Sequence, residues 1–181
     1  MTMNFKNVFQ FLIDFFIREE IDYALIGAFA LKAYGYTRAT QDIDFLVRGR
    51  DQDKIVGMLE STGFETIYRS TGYSNHVHPI SGLGRIDFVY VKGEAANALF
   101  GDARELLVLG DLRVRVVSPE HLVALKVFAM KNDPKRSWRE MADIEYLLKM
   151  PGADREEMRK FFEKYGQMEK YNELIRGKAD E

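Results

Sequence analysis

The chain has 181 residues, 46% of them apolar, which is material for one substantial core and little for two. A net charge of -2 and a pI near 6.0 exclude a global positive field for holding nucleic acid, so any such contact must be local. With Cys at 0, disulfides, thiolate metal sites and a cysteine nucleophile are excluded, a pattern that fits a reducing cytoplasm.

In chain order, Val8, Phe11, Leu12, Phe15 and Phe16 recur at helical spacing and predict an amphipathic first helix with an aromatic face. The opening MTMNFKNVFQFLIDFF has no basic segment followed by a long apolar run, so it reads as part of the domain and not as a signal peptide. No window approaches the roughly 20 apolar residues that cross a bilayer. A strand over 23–26 ends at Gly27, and 28–34 has helix-forming character. Further strands are predicted over 43–47, 64–68, 76–80 and 85–91, with a helix over 51–62 and a glycine-containing reversal at 81–84. A short helix over 94–100 precedes two strands, 106–109 and 112–117, that flank the turn Gly110-Asp111.

Ser118-Pro119-Glu120 then opens a helix with a cap, a proline in the first turn and an acid at the positive end of the dipole. That helix runs to about Lys131 and breaks at Asp133-Pro134. The next, over 137–149, is expected to turn Trp138, Met141, Ile144, Leu147 and Leu148 inward, and the charged tail from Asp154 reads as a helix packed at the edge. The expected class is α/β (α+β), a mixed sheet flanked by helices with a helical C-terminal portion. Residues 1–117 would form the core and 118–181 the helical part, packed together as one compact unit.

The informative residues are Asp42 and Asp44 in QDIDFLV. Alternate strand residues share a face at roughly 6.5 to 7 Å, so two carboxylates so placed can converge on one hard cation. A solvated strand edge is the alternative for an acid pair taken alone. Leu46 continues the acid face while Ile43, Phe45 and Val47 fill the other, so the carboxylates stand beside apolar surroundings and need a compensating partner. Asp87 repeats the anomaly in RIDFVYV, its alternative reading being a buried acid paired with Arg85. Three such acids on two strands can supply the oxygen ligands of two Mg²⁺ ions about 3.5 to 4 Å apart, the arrangement that clamps attacking and leaving oxygens in a phosphoryl displacement. Gly27, between a strand and a helix, lets backbone amides approach a phosphate.

These residues resemble the nucleotidyltransferase superfamily with the DNA polymerase beta-type fold. Ile26-Gly27-Ala28, a spacer over 29–41, the pair Asp42 and Asp44, and a third acid, Asp87, stand in that family's order. At Ala28 the family more often has Gly or Ser, whose hydroxyl or backbone meets the nucleotide's phosphates; Ala keeps only the amide. The C-terminal half resembles the branch of abortive-infection and type IV toxin-antitoxin nucleotidyltransferases, with Lys126, Arg136 and Asp143 at matching places and Glu140 where Asp is commoner.

The resemblance implies transfer of a nucleoside monophosphate from a nucleoside triphosphate, with Mg²⁺ or Mn²⁺, to a hydroxyl of an RNA, protein or small-molecule acceptor. It also implies a toxin-like role with a cognate antitoxin. The alternative keeps the fold without chemistry, as a nucleotide-binding or partner-binding module. Lys126 interrupts an apolar helix face and is expected to meet either a triphosphate or Asp143 as a structural bridge. Arg38, on the loop before the acid pair, can reach a phosphate or stand solvated. His76 and His78 alternate on one strand but lack an evident third ligand for zinc. Arg136 and Trp138 offer a surface for stacking a base, against core packing for the Trp.

Overall fold

The computed structural model describes residues 5–79 and 84–176. By internal contacts the chain divides into two compact units, Met1–Val117 and Ser118–Glu181.

The first unit is built on a seven-stranded mixed sheet in the order β3-β4-β5-β2-β1-β7-β6. Its strands are β1 (Tyr23–Ile26), β2 (Ile43–Arg48), β3 (Glu65–Arg69), β4 (Tyr73–Val77), β5 (Ile86–Val91), β6 (Arg104–Val108) and β7 (Leu112–Val116). The helices between them are α1 (Phe5–Arg18), α2 (Gly27–Ala33), α3 (Gln52–Ser61) and α4 (Gly93–Gly101). β2 runs parallel to β5 and antiparallel to β1, so the first residues of β2 and β5 and the last of β1 meet at one end of the sheet's centre.

One face of that centre is aromatic because period-2 alternation points Phe45 and Phe88 the same way, with ring centroids 6.2 Å apart. α1 closes over them: Phe9 and Phe16 meet Phe45 at 5.8 and 5.3 Å, and Phe16 stacks on Tyr23 at 4.8 Å. Phe9, Phe16, Phe45 and Phe88 are completely buried, each removing on the order of 150–250 Å² of ring surface from water. The same alternation assigns Asp44 and Asp87 to the opposite face. The aromatic face predicted for the first helix holds the sheet through Val8, Leu12, Phe15 and Phe16, but Phe11, expected on it, is exposed and Phe9 takes its place.

The predicted strand over 76–80 is displaced: β4 covers Tyr73–Val77, and Ile80 and most of the expected reversal lie outside the described residues. Ser74 and His76 are fully buried, and their polar groups are satisfied across the sheet, Ser74 Oγ lying 2.8 Å from His76 Nε2 and 2.7 Å from the Tyr90 hydroxyl. A polar run is therefore a central strand here.

The second unit is helical: α5 (Pro119–Asn132), α6 (Ser137–Lys149), α7 (Arg155–Lys164) and α8 (Met168–Arg176). Ser118 caps α5, its hydroxyl accepting from the His121 N–H at 3.3 Å. The single helix expected in the tail is two, separated at Gly166, whose φ of 67° ends α7. Trp138, expected inside, is 78% exposed, because α6 turns Glu140, Asp143, Ile144, Leu147 and Leu148 inward instead. Among the described residues, no helix is long and apolar enough to cross a membrane.

Candidate active site on the central strands

Asp44 and Asp87 occupy matching register positions on the adjacent parallel strands β2 and β5, and both stand on the face away from α1. Asp42 lies just before β2, one strand period from Asp44. Arg85, just before β5, links the ends of the two strands. Its Nη2 stands 3.0 Å from Asp42 Oδ2 and 3.4 Å from Asp87 Oδ2, so one guanidinium nitrogen reaches two of the three acids.

Arg85 is also fixed through its backbone. The Ile43 N–H donates to its carbonyl at 2.9 Å, and its own N–H donates to Asp42 Oδ1 at 3.3 Å. The hydrogen bond to Asp42, more than the charges of Asp87 and Asp42, holds the guanidinium above its ordinary pKa. Gly84 precedes it because the backbone there presses on the Gln41 carbonyl, which any Cβ would overlap.

Asp87 is 3% exposed, and its carboxylate is held on the sheet as well. Asn75, its register partner on β4, donates from Nδ2 to Asp87 Oδ1 at 2.6 Å and to the Tyr73 hydroxyl at 2.7 Å. Burial, then the charge of Asp87, pushes the Tyr73 phenol up to about 12, so it stays a hydroxyl that donates to Asp87. Asp44 also raises Tyr73, which places both acids within electrostatic reach of one phenol.

On the other side, Ile26 pairs with Asp44, and Gly27 follows with a φ of 68°. A Cβ at Gly27 would overlap Asp44 Oδ2. Glycine is required here twice, by the left-handed backbone and by the carboxylate packed against it. The missing side chain makes room for the Asp44 carboxylate itself where β1 ends.

Among the described residues, no group of three or more His, Asp or Glu side chains stands ready-made around a cation position. The oxygens of Asp42 and Asp87 are turned to Arg85 instead. The donor set still fits a hard divalent cation: it consists of carboxylate oxygens on one face, with Asp44 seated against the Gly27 backbone. A cavity of about 710 Å³ lies elsewhere, lined by Phe5, Lys6, Lys32 and the β6–β7 turn, and includes none of the three acids.

No protein-family model matches the sequence, and no curated protein matches it. Among solved structures, the chain is similar to the antibiotic-resistance factor ANT(2'')-Ia in solution, with a TM-score of 0.68 and 16% identity over 96% of each chain. The chain has the nucleotidyltransferase fold. It is also similar to the lincosamide antibiotic adenylyltransferase LnuA bound to lincomycin, with a TM-score of 0.55, 15% identity, and 82% of this chain and 99% of that one covered. An antigenic nucleotidyltransferase-like protein from Paracoccidioides brasiliensis matches with a TM-score of 0.57 and 17% identity over 94% of this chain and 91% of that one.

Other residues expected at the site of this nucleotidyltransferase fold sit as follows. Ala28 is the second residue of α2 and buried at 3% exposure, and Arg38 is half-buried on the loop before β2. Lys126 and Asp143 belong to the second unit. Lys126 Nζ is enclosed there, 2.9 Å from Glu140 Oε2 and 2.5 Å from Asp143 Oδ2, while Arg136 Nη2 reaches Glu140 Oε1 at 2.8 Å. Of the two readings of Lys126, these distances are those of the structural bridge. The ammonium there already has two carboxylate partners.

His76 is buried in the sheet with both ring nitrogens engaged. Burial pushes its pKa down to about 4, and its ring nitrogens meet Thr66 Oγ1 at 3.1 Å and Ser74 Oγ. His78 packs edge-on against Phe64 at 4.9 Å. Arg85, Tyr73 and Asn75 are the site residues that sequence reasoning missed or left aside. Only Arg85 had a local signal, its position two before an anomalous acid.

Proposed function

We propose that this protein is a metal-dependent nucleotidyltransferase that moves a nucleoside monophosphate from a nucleoside triphosphate to a hydroxyl of a small-molecule acceptor. The observation that carries the proposal is the register of Asp44 beside Asp87 on parallel central strands, with Asp42 joined to Asp87 through Arg85. Three carboxylates on a sheet face have no packing role that an apolar residue would not fill better. Two of the similar proteins act on or resist antibiotics by their descriptions, which supports a small acceptor.

Asp42 and Asp44, with Asp87, would hold Mg²⁺ or Mn²⁺. When bound, that metal neutralises developing charge on the transferred phosphoryl group and on the departing pyrophosphate. The Gly27–Ala28 turn would offer the phosphates backbone amides beside the Asp44 carboxylate that packs against Gly27. Asp87 takes the proton of the acceptor hydroxyl. Asn75 and Tyr73, donating to Asp87, fix the direction of its free lone pairs.

The test is incubation with each α-labelled nucleoside triphosphate, Mg²⁺ or Mn²⁺, and a panel of hydroxylated small molecules, with cell extract in parallel. Label on a small molecule with release of pyrophosphate is the expected result. Label on RNA or protein would point instead to the toxin-like branch and an antitoxin partner. Ala28, which offers no hydroxyl, favours a second reading, a nucleotide-binding or partner-binding module. Tight triphosphate binding without transfer under any condition would establish that module in place of the enzyme.

A further inference from the structure

Arg85 is placed differently from the other charges on the acid face. Its α-carbon is fixed by two backbone hydrogen bonds and by the press of Gly84 on Gln41, yet its side chain is 46% exposed. The backbone cannot move away from the acids, but the guanidinium has a route to solvent. It stands against two oxygens that a divalent cation would need, one of Asp42 and one of Asp87. The other polar groups on Asp87 are the amide of Asn75 and the phenol of Tyr73, both neutral, so Arg85 is the cation shown holding Asp42 and Asp87 together.

We infer that Arg85 is an exchangeable internal counter-ion. It holds Asp42 and Asp87 together while no metal is bound, and it passes to the phosphates of the triphosphate when metal and nucleotide bind together. The inference rests on the proposed nucleotidyltransferase site and adds its order of assembly. A divalent cation arriving alone must displace a hydrogen-bonded guanidinium and suffer its repulsion. A cation arriving with a triphosphate brings the guanidinium a new partner, and a planar fork with paired donors suits phosphate oxygens as it suits carboxylates. Metal and nucleotide therefore bind cooperatively, and by reciprocity each raises the affinity of the other by the same factor.

The experiment is Mn²⁺ binding followed by the paramagnetic signal of the free ion, with and without a non-hydrolysable nucleoside triphosphate, on the wild type, R85Q and R85K. Without nucleotide, R85Q is expected to bind Mn²⁺ about tenfold or more tightly than wild type, since a competing charge a few ångströms away is gone. It should also lose most of the gain that the triphosphate gives wild type. R85K keeps the charge but not the fork, so its affinity for Mn²⁺ alone should stay near wild type while the gain from triphosphate falls.

If R85Q binds Mn²⁺ no more tightly than wild type, or keeps the full gain from triphosphate, the counter-ion role is overturned while the nucleotidyltransferase reading stands. If R85Q does not fold, R85K decides by the gain alone, and an unchanged gain overturns the inference. If Mn²⁺ binds to none of the three proteins, with or without triphosphate, both the inference and the proposed function fail.

Discussion

Two clusters in this protein join two carboxylates through a shared cation, and they differ in whether that cation can leave. In the helical unit, Lys126 is buried with Glu140 and Asp143, its side chain 9% exposed and theirs 5% and 1%. On the sheet, Asp42 and Arg85 are 36% and 46% exposed, and only Asp87 is buried. A closed cluster satisfies itself and serves the fold, whereas an open one holds charges that another ion can take over. An out-of-place charge in a sequence marks both kinds equally, and the burial of its partner tells them apart.

The largest expected effect is on the open cluster. Asp87→Asn should lower turnover by two or more orders of magnitude, since the side chain proposed both to hold metal and to accept the proton is lost. Nucleotide affinity should fall much less. Single-turnover label transfer alongside equilibrium binding measures both, and equal losses would mean that Asp87 only helps to hold the nucleotide.

The closed cluster predicts the opposite pattern. Lys126→Ala leaves Glu140 and Asp143 buried without their shared ammonium and should cost about 3–5 kcal/mol in a urea melt. Nucleotide affinity of the folded fraction should be unchanged. A variant of normal stability and weakened triphosphate binding would return Lys126 to the nucleotide and erase the contrast.

The reverse face of β4 supplies an uncharged control. His76 is buried neutral, with a folded-state pKa depressed from 6.5 to about 4, so the unfolded chain binds a proton more readily between those values. Folded stability is then undiminished by this group above about pH 6.5 and falls as the pH drops toward 4, by up to about 3 kcal/mol. His76→Gln should flatten that part of the stability profile, and NMR should show the imidazole neutral until well below pH 6. The smallest effect belongs to Trp138. At 78% exposure, Trp138→Ala should change stability by no more than about 0.5 kcal/mol, read from the same melts.

What was legible in the sequence follows the same division. The aromatic first helix, the strand bearing Asp44 with Asp42 just before it, the strand bearing Asp87 and the Gly27 turn each have a local pattern, because period-2 alternation and a helix's apolar stripe are written in consecutive residues. Asn75 and Tyr73 have none. They reach Asp87 through the register of β4 on β5, a tertiary fact, and the predicted strand begins only at His76, after the polar Ser74 and Asn75. Trp138 was expected inside because inward Glu140 and Asp143 invert the usual polarity of a helix face. The inversion is explained only by Lys126 on a different helix. Arg85 was visible as a neighbour of Asp87, but its reach to Asp42 depends on the pairing of Ile43 with Arg85 across two strands.

The central claim is that Asp42, Asp44 and Asp87 form one metal site, and it can be tested without knowing the acceptor. Fe²⁺ bound in place of Mg²⁺, with ascorbate and peroxide, cuts the backbone within a few ångströms of the ion. In the presence of a non-hydrolysable triphosphate, cuts are expected beside residues 42–44 and beside residue 87 in the same molecule population, and both sets should vanish together in Asp44→Asn. Cuts at one strand only, or cuts that survive Asp44→Asn, would show that the three acids do not share a metal.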